Sequence, residues 1–260
     1  MNTSNISVIE EKNSVKSEYD YMNLIAKICH ANLKNSDSVC DYLEGRGITE
    51  DCIDKYKIGF FPQSLGTLKR YVPEDYLLRK CILKSPYHSD FKDFQRLIIP
   101  IYNEHDEAVG IVGRCTSDIN FKMLNIPKYK NSSFKKSNVL FGLNLAYEEI
   151  LKKDRVFIVE GYLDHVAMTK NGIKECVALG GTAFSGGHLV KLLRLTNNLY
   201  FIYDSDESGQ ITASRVKGKY DSNILNMHFL KGPDDIKDVD EFFKKYKRAD
   251  FGRKFKKFNP

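Results

Sequence analysis

Arg155-Val156-Phe157-Ile158-Val159-Glu160-Gly161-Tyr162-Leu163-Asp164 starts as a strand and finishes as a helix. Its first five residues are a β-branched and aromatic run too short for a helix. Glu160-Gly161 breaks the run, and Tyr162 to Met168 restores helical spacing. A carboxylate at the carboxyl end of a parallel strand stands where open α/β sheets build their sites. Working outward, the same alternation recurs. Strands are expected over 155–159, 175–179, 198–203 and 224–230, and helices over 162–171, 185–195, 207–219 and 240–248. Strand and helix in strict alternation imply an α/β fold with a mainly parallel sheet and helices on both faces.

Two further acidic clusters, Asp204-Ser205-Asp206 and Asp238-Val239-Asp240, follow apolar runs as Glu160 does. The expectation is that all three meet and hold divalent metal, with Asp164 close by because it lies four residues after Glu160. Magnesium takes oxygen ligands and keeps waters, so one or two carboxylates plus substrate phosphates suffice. Crowded acids raise one another's pKa, and a bound cation removes that cost. Two ions roughly 3.5–4 Å apart serve an in-line phosphoryl displacement. The competing reading is turn chemistry, since a single Asp-x-Asp is common in surface loops. Gly180-Gly181 ends another strand, where backbone N–H groups can approach an anion or the metal cluster. No Gly-Lys-Ser/Thr follows, so it is no Walker loop. His165 and His188 lack a ligand partner at useful spacing and read as packing residues.

Upstream, helical patterning begins at Tyr19, a second helix covers Asp37 to Glu44, and Thr49 caps a third over Glu50 to Tyr56. Arg46 sits between Gly45 and Gly47, where a long cation can reach a ligand. Arg96 to Tyr102 and Ala108 to Arg114 flank a five-residue loop and read as a β-hairpin. Antiparallel pairing brings Arg96 and Arg114 to one end, as an anion site. Pro100 favours an edge or a bulge. Lys128, Asn131 and Lys136 belong to a basic loop suited to phosphate contacts. A helix near 145–152 closes this α+β half, and a boundary near 150 follows.

At 260 residues the chain has room for two modest domains with a real core. No apolar run approaches the roughly 20 residues of a membrane helix, and the start resembles no secretory signal, so a cytoplasmic protein without membrane partners is expected. Six cysteines contain no C-x-x-C pair, so no zinc ribbon and no disulfides are expected. Residues 1–17 are polar and aperiodic, a disordered lead-in. Residues 243–260 carry eight basic residues and one acid, which accounts for the whole net charge of +6. The segment over 249–260 reads as a basic tail, whose Phe251, Phe255 and Phe258 either stack on bases or dock on the domain.

EGYLD (160–164), ALGGT (178–182) and DSDESG (204–209) together resemble the Toprim domain of DnaG-type primases, topoisomerases and some nucleases. YLEGRGITEDCIDKYKIGFFP (42–62), RLIIPIY with VGIVGR (96–114), PKYKNS (127–132), FKKSNVLFGL (134–143) and KGPDDIKDVDEF (231–242) resemble the polymerase core of bacterial and phage DnaG-type primases. The likeness spans about residues 18 to 247. It implies an N-terminal primase-core subdomain over 18–150 and a Toprim catalytic domain over 151–248. It also implies synthesis of RNA primers on single-stranded DNA from NTPs. By resemblance, Glu160, Asp204, Asp206, Asp238 and Asp240 bind Mg²⁺ or Mn²⁺, two ions or more, with Asp164 nearby. Of these, Glu160, Asp204 and Asp206 are the catalytic acids. Arg46, Arg96, Arg114, Lys128, Asn131 and Lys136 match positions lining the template and nucleotide groove.

Family members usually carry a zinc-binding domain before this core and a helicase-binding domain after it. The expectation here is a core that lacks both: either a replicative helicase and a separate zinc protein act in trans, or the chain is a fragment, or its role is changed. The family's Asp-Pro-Asp is Asp238-Val239-Asp240 in this chain. Two alternatives share features with this reading. A Toprim nuclease or topoisomerase-like enzyme shares the acids, and a non-catalytic protein that binds single-stranded DNA or a helicase shares the basic residues.

Overall fold

In the computed structural model, residues 16–92, 96–116, 123 and 126–260 are described; the lead-in expected over 1–17 falls outside them except for its last two residues. Ser17 opens α1 (Glu18–Ala31) with a capping box, its hydroxyl accepting from the Asp20 N–H while Asp20 accepts from the Ser17 N–H. α2 (Asp37–Gly45) and α3 (Glu50–Tyr56) follow, and the Thr49 hydroxyl caps α3 as its sequence position suggests. Next come β1 (Gly59–Phe60), α4 (Leu65–Lys69), α5 (Glu74–Arg79), β2 (Arg96–Tyr102), β3 (Ala108–Cys115) and β4 (Tyr129–Asn131). The strands form an antiparallel sheet in the order β1-β2-β3-β4. β1 reaches only to Ile98, so Pro100 lies beyond its end and its missing N–H costs no ladder bond on that side. A bulge falls at Ile101/Tyr102.

β2 is buried on both faces, which is why it reads as a continuous apolar run. Ile98 joins Met22, Ile25 and Cys29 of α1, while Leu97, Ile99 and Ile101 face the second half of the chain. α1 and β1 approach closely at Gly59, where a Cβ would stand 2.4 Å from the Cys29 backbone. The basic loop expected near 127–132 contains a strand instead. β4 pairs with β3, Arg114 opposite Tyr129 and Val112 opposite Asn131.

α6 (Leu143–Lys153) leads into β5 (Val156–Val159), α7 (Tyr162–Lys170), β6 (Cys176–Ala178), α8 (Gly186–Leu193), β7 (Asn198–Ile202), α9 (Glu207–Tyr220), β8 (Asn226–Lys231), α10 (Val239–Lys245), α11 (Arg248–Lys254) and β9 (Lys256–Phe258). The sheet order is β6-β5-β7-β8-β9, parallel except for β9. Val156 and Ile158 pack with Leu199, Phe201 and Phe229 on one face. Phe157 and Val159 pack on the other with α7, α10, α11 and the hairpin residues Leu97, Ile99 and Ile101. The two sheets therefore share one apolar core. Phe141 adds a bridge, exchanging backbone hydrogen bonds of 2.9 and 3.0 Å with Ala178 on the edge of β6.

The segment 249–260 is no free tail. Phe251 and Phe255, one helical turn apart, are 5% and 8% exposed with their rings tilted 4.5 Å apart, and Phe258 pairs opposite Phe229 at the sheet edge. Of the two readings of these aromatics, docking on the domain is the one found. Cys29, Cys40, Cys52, Cys81 and Cys176 are free thiols.

Candidate active site

The acids gather at the carboxyl ends of β5, β7 and β8. Glu160 follows β5, and its carbonyl accepts from the N–H groups of Gly180 at 2.9 Å and Gly181 at 3.3 Å. Both glycines have left-handed φ, +64° and +74°, the conformation a side chain resists. Their N–H groups therefore anchor the Glu160 backbone and do not face an anion, contrary to the sequence expectation. The Glu160 carboxylate accepts from the Asp204 N–H at 2.9 Å, which ties the ends of β5 and β7 together.

Asp164, in the first turn of α7, accepts from Gly161 N–H at 3.1 Å with one oxygen and from Asp240 N–H at 3.0 Å with the other. Asp206 and Asp238 are N-caps of α9 and α10, accepting from Gly209 and Glu241 N–H groups at 3.0 and 2.8 Å. Asp240 points across to the first half, ion-paired with Arg46 and with Lys244. Glu160, Asp164, Asp204 and Asp238 line one cleft of about 260 Å³, with Tyr129, Asn131 and Lys136 opposite. Asp206 and Asp240 lie outside its lining, although the Asp206 charge is felt at Glu160.

Burial and like charge oppose ionisation here. Burial, then repulsion from Asp238, pushes Asp164 up to about 7, against the pull of the Asp240 N–H. Burial, then repulsion from Glu160 and Asp238, pushes Asp204 up to about 6. Burial also raises Glu160, with Lys237 and the Asp204 N–H opposing it. Among the described residues no three His, Cys, Asp or Glu side chains form a ready metal cage. The donor set nonetheless fits a hard cation that needs few protein ligands and completes its shell with water and phosphate.

The opposite wall is cationic and aromatic. The guanidinium carbons of Arg46 and Arg114 stand 5.0 and 5.3 Å from the Tyr42 ring centre, and Arg114 also lies 5.1 Å from that of Tyr129. Arg114 is buried and donates to the Tyr129 hydroxyl. Burial, then repulsion from Arg114 and Arg46, lowers the pKa of Lys128, so these three cations share one field. Lys136 donates to the Gly180 carbonyl at 3.4 Å, and burial lowers its pKa.

Arg96 is not part of this wall. It pairs opposite Cys115, while Leu97 pairs opposite Arg114, so the two arginines leave opposite faces of the sheet. Arg96 is 1% exposed and donates to the carbonyls of Asp90, Gly113 and Pro127 at 2.7, 3.4 and 3.2 Å. It ties loops together, and the paired-arginine anion site does not form. His165 and His188 are buried packing residues, His165 against the Tyr56 hydroxyl at 3.1 Å and His188 against the Lys136 carbonyl at 2.9 Å.

Sequence reading missed Tyr42, Tyr162 and Lys237. Tyr42 was within reach, being one helical turn before Arg46. Tyr162 lines the cleft and donates to the Gly180 carbonyl at 3.3 Å. Lys237 is placed by its carbonyl, which accepts from Ser205 N–H at 3.0 Å, a contact without local signal.

This geometry has relatives. Residues 28–147 match the family model described as "DNA primase catalytic core, N-terminal domain", and residues 157–243 match "Toprim-like". A DNA primase of Helicobacter pylori strain J99 is 29% identical over 206 residues, covering 77% of this chain and 36% of the relative. One of Legionella pneumophila is 30% identical over 216 residues, covering 80% and 37%. The chain thus spans little more than a third of the length of these curated relatives.

Among solved structures, the Aquifex aeolicus primase (zinc-binding and RNA polymerase domains) superposes with a TM-score of 0.81 at 26% identity, covering 94% of this chain and 62% of that one. A DnaG primase catalytic domain bound to single-stranded DNA gives 0.77 at 28%, covering 91% and 79%. A DnaG catalytic core gives 0.78 at 30% identity, again covering 91% of this chain and 79% of that one. With both halves matched and the acid cleft at their junction, the chain belongs to the DnaG-type primase catalytic cores.

Proposed function

We propose that this chain is the polymerase core of a DNA primase, joining NTPs into short RNA primers on single-stranded DNA. Primase cores of this kind are metal-dependent. The observation that carries the reading is the cleft itself: Glu160, Asp164, Asp204 and Asp238 on one side, Tyr129, Asn131 and Lys136 on the other. Two or more Mg²⁺ or Mn²⁺ ions, when bound, would supply activation of the attacking 3′-oxygen and neutralisation of charge on the leaving pyrophosphate. Glu160 and Asp204 would hold them, with Asp206 and Asp238 beside them in their helix caps.

The residues of the opposite wall bind and orient. Lys136, Lys128, Arg114 and Arg46 present donors to template and triphosphate phosphates, and Asn131 offers an amide. Arg46 reaches a phosphate by leaving Asp240. The new O3′–Pα bond forms as the Pα–O bond to pyrophosphate breaks, and the 3′-hydroxyl proton passes to water. The partners proposed are single-stranded template, NTPs, a replicative helicase and a separate zinc protein in trans. A bacterial or phage-infected cytoplasm is the proposed setting. Among the described residues no helix is long and apolar enough to cross a membrane.

The test supplies single-stranded template, labelled NTPs and Mg²⁺ or Mn²⁺ to wild type, Glu160→Gln and Asp204→Asn. Template-dependent oligoribonucleotides from the wild type, lost in both variants, are expected. Cleavage of the template instead would favour a Toprim nuclease. Binding with no product would favour a non-catalytic protein.

A further inference from the structure

Several cations near the chain's end have no acid to answer them. Lys245 pairs with Asp235 and Arg253 with Asp250. Arg248, Lys254, Lys256 and Lys257 stand in ion-pair contact with no carboxylate among the described residues, and all but the half-buried Lys254 are exposed. Three of them are held over rings instead. Lys254 lies 4.3 Å from the Tyr246 ring centre, Lys257 5.8 Å from that of Tyr200, and Arg248 5.9 Å from that of Phe251. A cation seated on a ring face is positioned without being neutralised, so its donors stay available.

The same surface offers aromatic edges. Tyr200 and His228 pair across β7 and β8, lie 4.5 Å apart, and are each half-buried beside Lys257. This face adjoins the acid centre. Phe255, between Lys254 and Lys256, and Gly232 line a recess together with Glu160, Asp164 and Asp204. A polyanion that leaves the acids through this recess passes Lys237, which also lines it, toward these cations. Lysines on an open edge strand also discourage sheet-to-sheet pairing. That accounts for Lys256 and Lys257 but not for Arg248 and Lys254, which belong to a helix.

Lys256 pairs opposite Lys231 and Lys257 opposite Leu230, so Lys256 leaves the other face of the sheet. We propose that the α11–β9 face is a second nucleic-acid surface, which holds single-stranded DNA beside the acid centre through Arg248, Lys254 and Lys257, with unpaired bases against Tyr200 and His228. Cations interleaved with half-exposed rings are what a single strand uses, because only unpaired bases offer a π-face. The direction of approach rests on reading the acid cleft as a template-directed site; the surface itself does not.

The test reads binding without nucleotides or metal, so it is independent of polymerisation. Anisotropy of a labelled single-stranded oligodeoxynucleotide is followed from low to high salt. The comparison is wild type against a variant combining Arg248→Gln, Lys254→Gln and Lys257→Gln. Each lost phosphate contact flattens the log–log salt slope by about 0.7 on a single strand, so the variant should lose roughly 2 in slope. A second variant with Lys254→Arg and Lys257→Arg should keep the wild-type slope, which separates charge from folding. An unchanged slope in the glutamine variant overturns the proposal. An equal or larger loss on blunt duplex DNA overturns the single-strand assignment. Primer synthesis is assayed separately, and its absence in the wild type would sink the polymerase reading while leaving the slope result intact.

Discussion

Asp164→Asn should stabilise the metal-free protein at alkaline pH while weakening its response to metal. Asp164 is 9% exposed, with its pKa raised from 3.8 to about 7. A raised folded-state pKa means the group favours folding below its unfolded value, and that contribution is lost as pH rises through the folded value. The full displacement corresponds to about 4 kcal/mol, and about 3 kcal/mol of it falls between pH 5 and 8. For a chain of this size that is on the order of 10 °C in Tm.

His165, lowered to about 3, and His188, also lowered, act in the opposite sense below their unfolded values, since burial keeps them neutral while the unfolded imidazoles take up protons. The informative quantity is therefore the difference between variant and wild type, in which the histidines cancel. The assay is thermal denaturation by circular dichroism at half-unit pH steps, first with chelator and then with Mg²⁺. The amide that replaces the carboxylate keeps one acceptor oxygen for the two N–H groups of Gly161 and Asp240, a fixed loss of about 1 kcal/mol. Above that offset the variant should gain on the wild type as pH rises from 5 to 8, and Mg²⁺ should raise the wild-type Tm more than that of the variant. A difference curve that is flat with pH would refute the account of a carboxylate strained by burial and its neighbours.

Arg96→Met should cost about 3 kcal/mol in urea unfolding by leaving buried carbonyls unpaired, and should leave the apparent KM for NTPs unchanged at a temperature where the variant is folded. Glu175, buried between Lys153 and Arg155 at 2.7 and 2.9 Å, has a lowered pKa, so its contribution is present at neutral pH and fades as pH falls through the carboxylate range. Glu175→Gln should accordingly destabilise at pH 7 and converge on wild type near pH 3, which denaturant melts at the two pH values will show. Phe251→Ala should cost about 3–5 kcal/mol, and deleting 249–260 should abolish the cooperative melt, because that segment is part of the core. Arg46→Gln should raise the apparent KM for NTPs several-fold with little change in Tm, since its ion pair with Asp240 is partly exposed and Lys244 remains on the same carboxylate.

Much of the fold was legible because local and global signals agree. The Thr49 cap places α3, the five-residue loop places the hairpin, and the alternation after Arg155 places the parallel sheet. The site was less legible, for physical reasons. Asp206 and Asp238 are residue types that serve equally as ligands and as helix caps, and spacing does not separate the roles. Arg96 differs from Arg114 by a single step of register, which sends it to the opposite face. The tail was ambiguous because Phe251, Phe255 and Phe258 suit a nucleic-acid surface as well as a core, until β8 is seen to take its outer partner, β9, from this segment. Lys237 gains meaning only through the contact of its carbonyl with Ser205, which no local pattern announces.

The apolar core that runs from Leu97, Ile99 and Ile101 into Phe157, Val159 and Phe242 has a mechanical consequence. The walls of the cleft are anchored in a single block of packed side chains, and Phe141 stitches them again at Ala178. Such a block resists opening and closing as a pair of jaws. Incoming nucleotides should then be accommodated by long side chains exchanging partners, as we propose for Arg46 in trading a carboxylate for a phosphate, while the gauge of the channel stays fixed from the moment the chain folds. Calorimetry should register one transition for the whole molecule, and melting either half alone should be impossible without dissolving the other.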